Sequence, residues 1–557
     1  MSVISIPISP TKTSPTKAIT KIAPQVELNI KKCHSIINIG LFFDGTNNNK
    51  DRDTSGMADT NISRLYDVYR DATKEGYYRY YMPGVGTKFL EIGEYFENEA
   101  GAGCAFGCEA RVIFALLTII NALHSHCFAD GMFDSGAVLA LCRNEENVPD
   151  DSDCENLAKL GLEHGLLQPS IGSNSTRHKF LKEQTDRLKA KFETGKPRIV
   201  ECFIDVFGFS RGAAQARVFC NWLNELLVGG RFAGVPLHFR FVGIMDTVAS
   251  AGFWSGATAL VKNSTGGHGA WASADSMRIP TSVKNCVHMV AMHELRRNFP
   301  LDQIGTNGKL QQGWVQHVYP GAHSDIGGGY KPGALGIAIG DDSMKLSQIP
   351  LNHMLDCAIA AGVPMNRTRH TVGRYDPLAI HPDLAKAYAD FISHSKLAPL
   401  PIYEWLQPYL NWRWQIREQF HTTNQVKRAN QADREVLLAF NKRLINDAAA
   451  ITRPSTATGN KSSFSVRKFF SGMKRDFVIN ALMEPEARSV LATAQRAAPT
   501  PPAYAALFDG YVHDSLAGFN KPNLEITGYW RYRRVFLGND DHTVASNADS
   551  DKARNVA

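Results

Sequence analysis

Residues 206–214, VFGFSRGAA, constrain this chain more than any other stretch. An apolar strand with β-branched and aromatic residues runs directly into Gly208-Phe209-Ser210-Arg211-Gly212, and an alanine-rich helix follows at once. A strand that becomes a helix across one residue bends sharply. Its apex leaves room only for small residues two positions to either side, here Gly208 and Gly212. Such a turn lifts the Ser210 hydroxyl above the sheet edge. It also aims the backbone N–H of Arg211, at the start of the helix, at the same space, where it would serve as an oxyanion donor. The bare G-x-S-x-G pattern is common by chance, and the strand before and helix behind are what give it weight.

Further strands are expected at 35–43 (SIINIGLFF), 198–207, 237–245, 286–292 and 315–319, each ending in a polar or glycine-bearing turn. Helices are expected at 109–123, 178–194 and 213–227. Nearly continuous apolar runs are what a sheet buried on both faces requires. Strands alternating with helices predict an α/β fold, a mostly parallel sheet flanked by helices. A chain of 557 residues exceeds one ordinary core, and its composition divides it. Residues 1–34 hold lysines and prolines but few large apolar groups and read as a flexible tail. Residues 35–335 read as the catalytic core, with a polar surface insertion at about 131–176. Residues 336–557 read as a mainly helical region packed on or capping that core.

Composition excludes several functions. A formal charge of +7 over this length is mild, and no concentrated basic stripe points to nucleic acid. The ten cysteines are scattered; Cys104 and Cys108 are four apart but no second pair follows at metal-ligand spacing, so neither metal nor cofactor is expected. The N-terminus has no unbroken apolar run with a small-residue cleavage site, and no stretch of some 18 apolar residues occurs elsewhere. The expectation is a protein made soluble that does not use the general secretory route.

A serine nucleophile needs a base, and the base an orienting acid, in the chain order Ser, Asp or Glu, His for this kind of turn. FRFVGIMDTVAS puts Asp246 at the carboxyl end of the next apolar strand. HVYPGAHSDIGGGY puts His323 just past another strand, in a glycine-rich loop. His288 and His317 lie inside strands, His293 just after one, and His513, in YVHDSLAGF, is the serious competitor. The first long strand ends in FFDGTNNN, beside the elbow, so Gly45 or Thr46 is the expected second oxyanion donor. Residues 250–271, with Phe253 and Trp254, suit a lid. Residues 403–420, with Trp405, Trp412 and Trp414 among arginines, suit either a membrane interface or core. The basic run at 467–475 suits anionic head groups or a solvated face.

Taken together, FFDGTNNN, TNISRLY, YYMPGVGT, GFSRGAAQAR, MDTVAS, HELRRNFP and GAHSDIGGGY resemble, in order, the type VI secretion phospholipase-effector family, an α/β-hydrolase group. They span about residues 35–330, and YVHDSLAGF and GYWRYRRVF near the C-terminus are also similar to its effector-type members. The resemblance implies an antibacterial phospholipase that hydrolyses acyl esters of membrane glycerophospholipids. It would be cytoplasmic in the producer, carried by a secretion spike protein into the target periplasm, and peripheral at the membrane there. A periplasmic immunity protein would neutralise it. The family's nucleophile, acid and base fall on Ser210, Asp246 and His323. The alternatives are an intracellular carboxylesterase with no secretion role, and a non-catalytic binding protein that keeps the fold.

Overall fold

The computed structural model describes residues 4–5, 18–25, 33–97, 107–143, 150–167, 173–249, 272, 276–297, 299–305, 309–370, 376–395, 402–452, 485–519 and 528–536. A parallel sheet runs through the molecule. Its strands are β1 (Ile4–Ser5), β2 (His34–Phe43), β3 (Tyr77–Met82), β4 (Arg198–Phe209), β6 (Val235–Met245), β7 (Cys286–Ala291) and β9 (Trp314–Tyr319), with β5 (Arg231–Phe232) added antiparallel to β6. The order across the sheet is β1-β9-β7-β6-β4-β2-β3. A separate parallel pair joins β8 (Leu301–Asp302) to β10 (Val535–Phe536).

The sequence dictates why β2 and β4 lie inside the sheet. In β2, Phe42 belongs to the apolar cluster on one face, and Ile37, Ile39, Leu41 and Phe43 to the cluster on the other. A strand apolar on both sides must be covered twice. From β2 the chain proceeds to β3 on one side and then crosses to β4 on the other. The strand order therefore reverses between β2 and β4, and the carboxyl ends at such a switch point are where α/β sheets gather their ligands. The register aligns these ends: Phe43 lies opposite Gly208, Phe209 opposite Met245, and Met245 opposite Met289.

Helices cover both faces. One face carries α2 (Cys108–Phe128), α3 (Ser135–Cys142), α4 (Asp151–Lys159), α5 (Ser173–Phe192) and α6 (Arg211–Glu225), whose apolar residues join one cluster. Helix α2 is long and apolar enough to cross a membrane by length and composition, yet most of it is buried within this core. The opposite face carries α1 (Asn61–Val68), the short α7 (His323–Gly327), α8 (Gln348–Ala361), α9 (Pro382–His394), α10 (Gln407–Gln415), α11 (Gln431–Thr452), α12 (Pro485–Arg496), α13 (Pro502–Tyr511) and α14 (Ser515–Phe519). The mostly parallel sheet flanked by helices is the expected fold class.

Each of the five expected strands is present, with ends within two residues of those anticipated. Two expectations are corrected. Residues 1–34 are not wholly a free tail: Thr20 N–H donates to Asn285 Oδ1 at 2.9 Å, Ile22 N–H to Ala361 O at 2.9 Å, and Gln25 N–H to Glu201 Oε2 at 2.9 Å. Backbone hydrogen bonds need no apolar side chains, so composition gave no sign of them. The insertion at 131–176 is not a surface loop throughout, because α3 and α4 bury Leu141 and Leu157 in the core. Of the two readings of 403–420, core holds: Trp405 and Trp412 are buried, and Trp414 packs edge-on against Trp530 at 5.5 Å. The proposed lid residues Phe253 and Trp254, and the run 467–475, lie outside the described residues.

Candidate functional site

The site grows from the turn between β4 and α6. Ser210 has φ 59° and ψ −125°, a conformation costly to a residue with a side chain and held here by its surroundings. Its N–H donates to Met245 O at 3.0 Å, and its carbonyl accepts from Val248 N–H at 3.2 Å, so the neighbouring strand and the segment after it pin the turn. The two flanking glycines are required by space. A Cβ on Gly212 would lie 2.2 Å from Phe43 O, and one on Gly208 would lie 2.5 Å from Gly212 O. Arg211 opens α6, and its N–H belongs to the first turn, at the positive end of the helix dipole.

Next along the sheet, Asp246 follows β6 with φ 40° and is fully buried. Its Oδ1 accepts from Ala291 N–H at 2.9 Å, and its Oδ2 accepts from His323 Nδ1–H at 2.6 Å. Arg533 adds two bonds, from Nη1 to Oδ2 at 2.8 Å and from Nη2 to Oδ1 at 2.7 Å. Burial opposes ionisation of this carboxyl, but the charge and hydrogen bonds of Arg533, with the bond from His323, hold it well below the usual carboxylate range.

His323 opens α7, beyond β9. Its backbone N–H donates to Glu294 Oε2 at 3.1 Å, and Glu294 is itself paired with Arg296 at 2.8 Å. The ring lies against Phe209 at 4.6 Å and edge-on to Phe299 at 5.2 Å. Burial lowers the imidazole's proton affinity below the ordinary 6.5, and the bond to Asp246 only partly restores it. With Nδ1–H committed to Asp246, Nε2 is the basic nitrogen. Nε2 is buried and has no hydrogen-bond partner among the described residues. A serine–imidazole hydrogen bond is therefore not formed in this structure, although Ser210 and His323 are both buried at the carboxyl edge of the sheet. In free enzymes such bonds often tighten only around substrate.

The competing histidines are engaged elsewhere. His513 Nδ1 pairs with Asp325 Oδ1 at 2.6 Å, and its ring stacks on Tyr330 at 3.8 Å. Because Asp325 is on α7, His513 braces the helix that carries His323. His288 Nδ1 meets Gln316 Oε1 at 2.9 Å inside the sheet, and His293 Nδ1 accepts from Gly321 N–H at 3.0 Å. His317 lies against His353 with ring centres 4.8 Å apart.

The turn after β2 corrects one expected donor. Gly45 N–H donates to Asp44 Oδ1 at 2.7 Å, so it is already engaged and is not an open oxyanion donor. What Gly45 supplies is room: a Cβ there would lie 2.6 Å from the Phe209 ring, and one on Gly327 would lie 2.1 Å from it. The two glycines make the slot that lets Phe209 reach His323. Thr46 keeps a buried Oγ1 with no hydrogen-bond partner among the described residues, beside the same turn. Asp44 organises that turn, accepting also from Thr60 Oγ1 at 2.7 Å and Tyr81 Oη at 2.6 Å. Burial pushes its carboxyl up to about 7 against these bonds.

Sequence reading missed Arg533, Phe209, Asp44 and Glu294. Phe209 occupies the unspecified position of G-x-S-x-G, and Asp44 stands beside the singled-out Gly45. Arg533 is 287 residues from Asp246; it lies in GYWRYRRVF, a segment quoted for its family resemblance without a role for any of its residues.

A family model described as the catalytic domain of type VI secretion system, Tle1-like phospholipase effectors matches residues 38–229 and 230–357, more than half of the chain. A crystal structure of an uncharacterised protein from Pseudomonas aeruginosa is similar in fold, with TM-score 0.68 and 24% identity over 93% of this chain and 84% of that one. A structure of the Tle1 effector bound to the VgrG spike of the type 6 secretion system aligns at TM-score 0.34 and 17% identity, over 70% of this chain and 87% of that one. No curated protein matches the chain. With the elbow, the Asp246–His323 pair and the family match over most of the sheet, the chain belongs to the Tle1-like phospholipase effectors of the type VI secretion system.

Proposed function

We propose that the protein is an antibacterial phospholipase A whose Ser210, His323 and Asp246 act as one triad. Ser210 Oγ attacks the acyl carbonyl of a membrane glycerophospholipid as His323 Nε2 takes its proton. Asp246 holds the Nδ1–H and stabilises the imidazolium that forms. The backbone N–H of Arg211 and the Thr46 side of the opposite turn receive the oxyanion. Collapse of the tetrahedral intermediate releases the lysophospholipid alcohol, protonated by His323. Water, activated by the same nitrogen, then frees the fatty acid from the acyl-serine.

The observation that carries this reading is the 2.6 Å Asp246–His323 bond beside a serine at φ 59°, on the strand ends where the family match falls. The lipid substrate rests on the family, since Trp405 and Trp412 are in the core and supply no membrane surface. Delivery on a VgrG-type spike into the target periplasm, peripheral action at the membrane and restraint by a periplasmic immunity protein belong to the same reading. The test is growth of cells making wild type or Ser210→Ala directed to the periplasm, with lipids extracted from each. Wild type should be toxic and accumulate lysophospholipid and free fatty acid together, and Ser210→Ala should do neither. Equal toxicity from both proteins would refute hydrolytic killing.

A further inference from the structure

An acid that only orients an imidazole needs a few hydrogen bonds, yet Asp246 is also gripped by a whole guanidinium. Arg533 is buried, and both of its terminal nitrogens bond the carboxylate at 2.7 and 2.8 Å. Nη2 also donates to Ala291 O at 3.0 Å, while Ala291 N–H donates back to Asp246 Oδ1, closing a ring of bonds around the acid. The fork is planar and fixes the plane of the carboxylate it meets.

The segment that delivers Arg533 is anchored on both sides. Before it, Tyr529 Oη donates to Asp514 Oδ2 at 2.7 Å, and Trp530 Nε1 donates to Leu444 O at 3.0 Å. After it, β10 pairs with β8, with Leu301 N–H donating to Arg534 O at 2.9 Å. Strand β8 in turn touches the acid's own loop, since Asp302 N–H donates to Thr247 O at 3.0 Å. The C-terminal segment is thus built to place one cation on one carboxylate.

We infer that Arg533 is a positioning residue of the hydrolytic centre, fixing the Asp246 carboxylate in the plane that meets His323 Nδ1 and offsetting part of its charge as the imidazole experiences it. This rests on the proposed triad. The charged and titratable groups around the imidazole are Asp246 after β6, Glu294 and Arg296 after β7, and the Asp325–His513 pair on and against α7. His288 of β7, neutral in its buried site, lies beyond Asp246. Replacing Arg533 by a neutral group leaves Asp246 facing His323 with its full charge. That favours the imidazolium and makes the base available only at higher pH.

The test is kcat and KM of the full-length enzyme on a soluble short-chain nitrophenyl ester across pH. Arg533→Gln should move the acid limb of kcat/KM up by about one pH unit and lower the plateau kcat about tenfold or more, with KM nearly unchanged. Arg533→Lys keeps the charge but not the fork, so its limb should stay at the wild-type position with kcat between the two. A limb in Arg533→Gln that coincides with wild type overturns the inference, whatever happens to kcat. Should Arg533→Gln not fold, Arg533→Lys decides: a displaced limb or an undiminished kcat counts against the inference. Activity surviving in Ser210→Ala and Asp246→Asn would instead remove the triad itself, and is recognisable without any Arg533 variant.

Discussion

Phe209 shows how much of the site is fixed by van der Waals contact and not by polar bonds. Its ring occupies a slot whose walls lack Cβ atoms, at Gly45 and Gly327, and its face supports His323 at 4.6 Å. Adding one methyl group to a packed slot forces side chains from their rotamers. Gly327→Ala should therefore push Phe209 against the imidazole and lower kcat/KM about tenfold or more. Shortening the ring in Phe209→Leu/Gly327→Ala should restore part of the loss. Equal activity of Gly327→Ala and wild type, measured on a soluble ester, would show that the ring does not hold the base. Among the residues, the placement of Ser210, Asp246 and His323 just past strand ends was legible because each follows an apolar run. Gly45 was singled out for the wrong reason. Its N–H is taken by Asp44, a bond visible only in three dimensions.

At the level of elements, the sheet was readable because burial on both faces leaves continuous apolar runs, and five such runs became β2, β4, β6, β7 and β9. Strand β3 was not foreseen. Its sequence, YYRYYM, is only half-buried at the sheet edge, and it carries arginine and tyrosine where an inner strand carries aliphatics. The same limit hid β1, β8 and β10, each two residues long and defined by its pairing partner alone. The tryptophans at 405, 412 and 414 illustrate the converse. Their aromatic richness fits both core and interface, and packing against Phe508 and Trp530 decides for core. The elements that complete the site are thus the least legible ones, since Arg533 reaches Asp246 from a segment whose order depends on α11, α14 and β8.

For the whole molecule, the buried histidines set the response to acid. Burial lowers His288, His293 and His353 to about 3, well below their ordinary 6.5. The unfolded chain then takes up protons first, so stability falls as pH drops below 6.5, by at most about 1.4 kcal/mol per pH unit for each group. Asp44 works the other way: its carboxyl is pushed up to about 7, so its contribution improves as pH falls through 7. Three groups outweigh one, and the melting temperature should fall by several degrees between pH 7 and pH 5. A flat or rising melting temperature would contradict these assignments. The account as a whole stands on Ser210 being a nucleophile activated by His323, and mass spectrometry after reaction with a fluorophosphonate tests that most directly. The predicted result is a single adduct on the peptide carrying Ser210, absent in Ser210→Ala and formed at least about a hundredfold more slowly in His323→Ala. An adduct on a different serine, or labelling at the wild-type rate in His323→Ala, would contradict it.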